Sequence, residues 1–207
     1  MRRYVFLVAC VLLMSACDQA AKESTLNLPL AQKFSRLMAI DQRARMYLDS
    51  VGTAMGMESE AYQHAIERMK ITDAENLQAV SHLLDSCGWL GAEVLGEDGH
   101  TDLFLAIQHA DTSAMVKYLP VLRKAVANKT AEPSSLALME DRVNVSRNLP
   151  QRYGSQLHFV SQEVGYQLYP LQDSVQVDQW RAAMQLEPLA DYVAKWKVVW
   201  PPKVDGR

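Results

Sequence analysis

An apolar run that ends in a cluster of polar residues is the feature that most limits how this chain can fold. Residues 103–107 read Leu-Phe-Leu-Ala-Ile and lead directly into Gln108, His109, Ala110 and Asp111. A helix that is apolar on all sides lies inside a core rather than on its surface. The sequence therefore predicts a central helix here, and packing around it would hold the side chains of Gln108, His109 and Asp111 in place where the helix ends.

Helical spacing of apolar residues dominates the remainder of the chain. Apolar side chains recur every three or four residues over segments that begin near residues 31, 58, 73, 112 and 133. One stretch breaks this period, because Leu157 and Phe159 alternate with polar residues, as do Tyr166 and Leu168. We expect a mainly α, single-domain helical bundle with one small β-hairpin near residues 155–169 and two short helices after it.

Local capping and breaking residues set the expected helix boundaries. Thr72 or Asp73 is the predicted N-cap of a helix that Gly88 ends. Pro120 predicts a kink or a restart in the helix that follows Asp111.

Residues 91–101 are predicted to form a loop, with Thr101 as the N-cap of the central helix. Four side chains in or beside this loop are of types that bind metal ions, and they are Glu97, Asp98, His100 and Asp102. Their spacing matches neither an EF-hand loop nor a His-Glu-x-x-His zinc helix. No metal site is predicted from this pattern, and no cofactor is implied.

The N-terminus carries the pattern of a cleaved leader. Arg2 and Arg3 precede an apolar stretch at residues 4–14, and these 11 residues are too few to cross a bilayer, which takes about 20. The stretch ends in Leu-Met-Ser-Ala-Cys, which resembles a bacterial lipoprotein signal in which Cys17 is lipidated after cleavage. The alternative is an ordinary secretory peptide that is cleaved after Ala16.

This pattern divides the chain into four parts. We expect a signal peptide at residues 1–16, a lipid-anchored tether at residues 17–29, a helical domain at residues 30–197 and an irregular tail at residues 198–207. The domain would face the periplasm of a bacterial cell envelope, held to the membrane through its N-terminal lipid. Asp18 follows the lipidated position and favours the inner membrane, by resemblance to enterobacterial sorting rules.

Charge and cysteine content narrow the possible partners. The chain has a net charge of −3, and loss of the leader leaves 19 basic and 24 acidic residues, a net charge of −5. With no basic stripe, this balance argues against a nucleic-acid partner. Cys10 leaves with the leader and Cys17 would carry lipid, so Cys87 has no partner for an internal disulfide. We interpret Cys87 as a buried structural thiol at a helix end rather than a nucleophile.

Four short motifs resemble a bacterial domain family of unknown function. The matching segments are Gly-Glu-Asp-Gly at 96–99, Gln-His-Ala-Asp at 108–111, Asp-Arg-Val at 141–143 and Gln-Arg-Tyr-Gly-Ser-Gln at 151–156. The resemblance covers residues 73–192. Family members carry a Gly-Trp-Pro step and a Tyr-Gly-Thr-Gln turn, where this chain has Leu90 and Ser155. The resemblance implies a fold and a site, but no activity.

Six polar residues in or near these motifs are the candidate site residues: His109, Asp111, Asp141, Arg142, Tyr153 and Gln156. In a functional pocket, His109 would be an acid or a base, and Asp111 or Asp141 would orient it. Arg142 would bind an anion or oxyanion, while Tyr153 and Gln156 would orient a substrate.

The same residues are also what a buried polar network needs, since buried polar groups require partners. In that case Arg142 would brace the 151–156 turn through backbone carbonyls, with Asp141 as its counterion. Elsewhere, Asp41 and Arg45 have the i,i+4 spacing of a surface salt bridge worth about 0.3 kcal/mol.

Two hypotheses about function follow. The first is an envelope lipoprotein with a non-catalytic domain that binds a small ligand or an envelope protein, with a polar network around His109. The alternative is a hydrolase-like enzyme that uses His109 with Asp111 or Asp141 and with Arg142. Solvent access to His109 separates them, because a sealed imidazole with both nitrogens satisfied would exclude catalysis.

Overall fold

The protein is mainly helical, with one small antiparallel hairpin late in the chain. The computed structural model describes residues 27–161 and 163–200. In chain order its elements are α1 Leu28–Met55, α2 Glu60–Cys87, α3 Ala92–Gln108, α4 Thr112–Ala127, α5 Pro133–Ser146, β1 Leu157–Ser161, β2 Gly165–Leu168, α6 Val177–Ala183 and α7 Leu189–Ala194. The mainly α class and the hairpin near residues 155–169 are therefore confirmed.

The predicted leader lies outside the described residues, and so do Cys17, most of the tether and residues 201–207 of the tail. In the described part, α1 begins at Leu28, two residues before the predicted start of the domain. The side chain of Asn27 caps it by accepting a hydrogen bond from the backbone N–H of Leu30 at 3.1 Å. None of the described helices combines the length and the apolar content that a membrane span requires.

Helix α3 lies at the centre of the core, as its apolar run predicts. Leu103 and Ile107 are completely buried. They pack in one cluster with residues from α2, α4 and α5, among them Val80, Leu84, Tyr118, Leu122 and Met139. This packing fixes where the polar end of α3 emerges.

Helix α1 runs parallel to α3 and beside it. The backbone N–H of Asn27 bonds the carbonyl of Val94 at 2.7 Å near the start of α3, whereas Asp41 meets His109 at its end. Helix α2 returns antiparallel to α1, so residues from the middle of both helices reach the end of α3.

The predicted boundary at Thr72 or Asp73 is wrong, because α2 is one continuous helix over Glu60–Cys87. The hydroxyl of Thr72 donates to the carbonyl of Arg68 at 3.2 Å, inside the helix. The Asp73 carboxylate accepts a hydrogen bond from Arg45 at 2.6 Å. Both side chains that resembled caps are therefore engaged elsewhere.

The predicted loop at residues 91–101 is also wrong, because this segment is helical. Helix α3 covers Ala92–Gln108 with a single break at Gly96, whose φ of +72° suits glycine. Thr101 is not an N-cap, since its hydroxyl donates to the carbonyl of Glu97 at 3.1 Å within the helix. The helix is therefore interrupted at one residue, Gly96, instead of being preceded by a loop over residues 91–101.

Two smaller expectations, a helix restart at Pro120 and a buried Cys87, are wrong. Helix α4 continues through Pro120, so the predicted restart is absent, and Pro120 is exposed, where a lost helix hydrogen bond costs least. Cys87 is exposed rather than buried, because Leu84 is the last buried residue of α2.

The C-terminal part has a small apolar core of its own. Val177, Leu189 and Val193 are buried there, and Leu157 and Leu168 of the hairpin pack against them. Arg181 and Tyr192 of this unit donate hydrogen bonds to backbone carbonyls of the 151–156 turn.

Candidate functional site

His109 is the C-cap residue that follows α3, and an aspartate from another helix binds it. The Nδ1 atom of His109 lies 3.3 Å from Oδ1 and 3.2 Å from Oδ2 of Asp41 on α1. The Asp41 side chain is only 1 % exposed. In the sequence it lies 68 positions before His109. Among the described residues, no hydrogen-bond partner is found for the Nε2 atom of His109, so that nitrogen is available to a ligand.

The two aspartates expected to orient His109 have other roles. Asp111 is the N-cap of α4, and its Oδ1 accepts a hydrogen bond from the backbone N–H of Ala114 at 2.8 Å. Asp141 binds the 151–156 turn, as described below. The prediction that Asp111 or Asp141 orients His109 is therefore wrong, and Asp41 is the residue that it missed.

Arg45 joins Asp41 to a second carboxylate. Its Nε and Nη2 atoms each donate to Asp41 at 3.0 Å, and Nη2 also donates to Asp73 at 2.6 Å. We call Asp41, Arg45, Asp73 and His109 the His109 cluster. The predicted i,i+4 pair of Asp41 and Arg45 exists, but it is not a surface salt bridge, because Asp41 is buried.

The His109 cluster borders an open cleft. The cleft has a volume of about 370 Å³, and the residues that line it are Lys70, Asp73, Ala74, Leu77, His109, Ala110 and Asp111. The side chain of His109 is 16 % exposed. His109 is therefore not sealed, and a small molecule has access to its ring.

Carboxylates give this region an excess of negative charge. Burial by itself would raise the pKa of Asp41, but hydrogen bonds from His109 and Arg45 hold it well below its usual range. Burial raises the pKa of Asp73, although the charge of Arg45 opposes this. Burial, with the nearby charges of Asp98 and Asp41, raises the pKa of Asp102 to about 6. The ionised form of Asp102 is therefore less favourable in the folded protein than in the unfolded chain.

Replacing Asp102 with asparagine is expected to stabilise the protein at neutral pH. Because the folded pKa lies above the unfolded value, stability falls as the pH rises from about 4 to above 6 in the wild type. The side chain is partly exposed, so we expect a gain of about 1 kcal/mol at pH 7.5 and almost none at pH 4. Urea unfolding at both pH values measures this, with the exposed Glu97→Gln as control. A gain that is the same at both pH values would exclude charge repulsion as its cause.

Arg142 binds the end of α3 rather than lining the cleft. Its Nη1 donates to the backbone carbonyl of Gln108 at 3.0 Å, and its Nε donates to Oε1 of Gln156 at 3.2 Å. A cation is favourable at this helix end, where carbonyls lack partners within the helix. Burial, and then the charge of Arg45, lower the pKa of Arg142. Arg142 therefore connects the end of α3, next to His109, with Gln156 of the 151–156 turn.

Asp141 organises the 151–156 turn. Its carboxylate is completely buried and accepts hydrogen bonds from the backbone N–H groups of Arg152 at 2.7 Å, Tyr153 at 3.0 Å and Ser155 at 2.9 Å. Burial raises the pKa of Asp141, and these backbone N–H groups oppose the rise. Asp141 therefore holds the turn by accepting hydrogen bonds from the turn's backbone N–H groups. The sequence predicted instead that Arg142 would hold the turn by donating to its backbone carbonyls.

The other side of the turn is held by Arg181, which the sequence did not single out. Arg181 is 1 % exposed, and its Nη1 donates to the backbone carbonyl of Tyr153 at 2.6 Å. The Tyr153 hydroxyl donates to Oε2 of Glu140 at 3.2 Å, and burial, with the nearby Glu140 charge, raises the pKa of Tyr153 to about 12. Gln156 is bound within the turn by Gln151. Tyr153 and Gln156 therefore serve the turn and do not line the cleft at His109.

The six candidate residues thus separate into two groups. His109 and Asp111 line the cleft, Asp141, Tyr153 and Gln156 build the turn, and Arg142 connects the groups. A signal for Asp41 was present in the sequence, because it follows Phe34 and Met38 on the buried side of α1. A charged residue in such a stripe needs a buried partner.

Comparison with known proteins gives a family but no activity. The model of the family described as "Family of unknown function (DUF6624)" matches residues 29–204. No curated protein and no solved structure matches the chain significantly. The match covers most of the sequence, including the His109 cluster and the 151–156 turn, and the chain belongs to the DUF6624 family of unknown function.

Proposed function

We propose that the chain is a lipid-anchored protein of the bacterial envelope that binds a small polar ligand in the His109 cleft. The observation that carries the binding proposal is the accessible ring of His109. Asp41 holds Nδ1, while Nε2 has no partner among the described residues and the ring borders a cleft of about 370 Å³. A fixed ring with one available nitrogen is suited to binding a polar group.

The lining of the cleft indicates what kind of ligand fits. Asp73 and Asp111 bring two carboxylates, against the single cation of Lys70, while Ala74 and Leu77 add apolar surface. The best match is a small molecule with an amine or another hydrogen-bond donor for the carboxylates and a short apolar part for Leu77. This site is too small for a macromolecular surface to enter.

Replacing His109 with glutamine is expected to weaken ligand binding at least about ten-fold, because the imidazole is the polar group at the centre of the cleft. The probe is a library of small amines and amino acids, screened against the full chain in detergent by ligand-observed NMR. The exposed His64 on α2 supplies the matched control, His64→Gln, which should bind like the wild type. Ligands that bind both variants equally, or a library with no binder at all, would contradict the proposal.

A hydrolase-like reaction is the second candidate, and the pair of His109 and Asp41 favours it. An aspartate on Nδ1 with Nε2 free is the arrangement of a general base. Among the described residues, no serine, threonine or cysteine is hydrogen-bonded to His109, so water would be the nucleophile. Turnover of any ester or amide that His109→Gln abolishes with the fold intact would establish catalysis instead of binding alone.

The envelope location is proposed from the N-terminal residues, which lie outside the described part of the chain. The sequence Leu-Met-Ser-Ala-Cys at residues 13–17 supports it. In a bacterial host, Cys17→Ser is expected to abolish incorporation of labelled fatty acid and to move the protein out of the membrane fraction. Cys87→Ser is the control and should change neither. Labelling that persists in Cys17→Ser would exclude the anchor.

A further inference from the structure

The His109 cluster brings together two carboxylates from α1 and α2 and the imidazole of the residue that caps α3. One oxygen of Asp41, one oxygen of Asp73 and a ring nitrogen of His109 all lie within 4.8 Å of one another. Ligand atoms around an ion such as Zn²⁺, at about 2.0–2.2 Å from it, are about 3–4 Å apart. Small side-chain rotations would therefore close the set. We propose that Asp41, Asp73 and His109 bind a divalent first-row transition-metal ion.

The donor types decide which ions fit. Imidazole nitrogen suits zinc and its neighbours, whereas Ca²⁺ and Mg²⁺ take oxygen ligands almost exclusively. Three protein ligands also leave a coordination position open, as in zinc sites that bind an exchangeable molecule. His109 and Asp73 both line the cleft, so the open position would be next to it. Metal binding itself requires neither the proposed small ligand nor lipidation.

The charge balance of the cluster favours an added cation. Asp41 and Asp73 bring two negative charges, and Arg45 brings one positive charge. A divalent ion would compensate this excess where a single guanidinium does not.

Two buried polar side chains lie close in sequence to residues of the cluster, and each has one atom without a hydrogen-bond partner in the described structure. Gln108, next to His109, is 6 % exposed, and no hydrogen-bond partner is found for its Oε1 in the described structure. Asn76, one turn from Asp73 on α2, is 2 % exposed, and the same holds for its Nδ2. Buried polar groups almost always have partners. Polar side chains of this kind serve as second-shell groups in metal sites.

Arg45 is the internal competitor of the ion. Its Nη2 lies 2.6 Å from Oδ1 of Asp73 and 3.0 Å from Oδ1 of Asp41, so it uses the oxygens that the metal would need. The side chain is 27 % exposed and can therefore turn out to solvent. Metal binding and release of Arg45 are then one event, and Arg45 lowers the apparent affinity.

A zinc titration tests both the site and the competition. The full chain, purified in detergent without an affinity tag and stripped of metal, is titrated with Zn²⁺ in a calorimeter. We expect one ion per chain, an affinity at least about ten-fold higher in Arg45→Met, and an affinity at least about ten-fold lower in His109→Gln and in Asp73→Asn. The gain in Arg45→Met cannot arise from misfolding, and Zn²⁺ should raise its thermal midpoint more than that of the wild type.

The control variants are His82→Gln and Cys87→Ser, which remove exposed potential metal ligands near the C-terminal end of α2. Both should bind Zn²⁺ like the wild type. Absence of saturable binding in the wild type and in Arg45→Met would overturn the proposal. So would binding that His109→Gln and Asp73→Asn leave unchanged, because the ion would then be held elsewhere. Loss of Zn²⁺ in His109→Gln without a gain in Arg45→Met would overturn the competitor role of Arg45.

Discussion

Replacing Asp141 with asparagine is expected to lower the free energy of unfolding by about 3 kcal/mol. The carboxylate is completely buried, and both of its oxygens accept backbone N–H groups, from Arg152 and Tyr153 on one side and from Tyr153 and Ser155 on the other. An asparagine in either orientation would turn its NH₂ group toward one of these donors. At least one buried N–H group then loses its acceptor.

Urea unfolding followed by tryptophan fluorescence measures this loss, with the neighbouring Glu140→Gln as control. Glu140 binds Arg123 at 2.8 Å near the surface and accepts from the Tyr153 hydroxyl, so its replacement should cost about 1 kcal/mol or less. If the two variants lose the same stability, Asp141 is not the residue that anchors the turn. Loss of the turn should also loosen Arg142, which reaches Gln156.

Most of the fold could be predicted because its signals are local. The apolar run at residues 103–107 has the composition of a central helix, and the alternation at Leu157 and Phe159 is that of a strand. The boundaries failed where a polar residue had two possible partners. Thr72 and Thr101 resemble N-caps, but each hydroxyl bonds a carbonyl four residues earlier in its own helix.

The candidate site could be predicted only in part, because its partners come from distant segments. His109 was identified, but nothing in its own segment indicates a contact with Asp41, which lies 68 positions away. Asp141 and Arg142 are adjacent in the sequence, and this predicts a shared role for them in holding the 151–156 turn. Neighbouring helix residues do not face the same way, however. Asp141 therefore turns to the backbone of the 151–156 turn, while Arg142 turns to the end of α3.

Replacing Asp41 with asparagine is expected to lower the free energy of unfolding by about 2 kcal/mol at pH 7. The variant loses a buried carboxylate that binds Arg45 through two oxygens and His109 through Nδ1. Breaking a fully buried ion pair lowers the free energy of unfolding by more than this. Here the loss is smaller, because Arg45 is 27 % exposed and keeps its ion pair with Asp73. A surface i,i+4 pair, as the sequence suggested, would contribute only about 0.3 kcal/mol. The measured loss of stability therefore shows whether Asp41 and Arg45 form a surface ion pair or a buried one.

The pH dependence identifies the charge of Asp41 as the cause. Since its pKa in the folded protein is lower than in the unfolded chain, the stabilisation is present above about pH 4 and is lost as the pH falls further. Urea unfolding of wild type and Asp41→Asn should therefore differ by the full amount at pH 7 and pH 5, and by clearly less at pH 3. The exposed Asp49→Asn on the same helix should stay within about 0.5 kcal/mol of the wild type at each pH. A difference between wild type and Asp41→Asn that does not shrink at pH 3 would assign the loss to packing, and the ionic role of Asp41 at His109 would then be wrong.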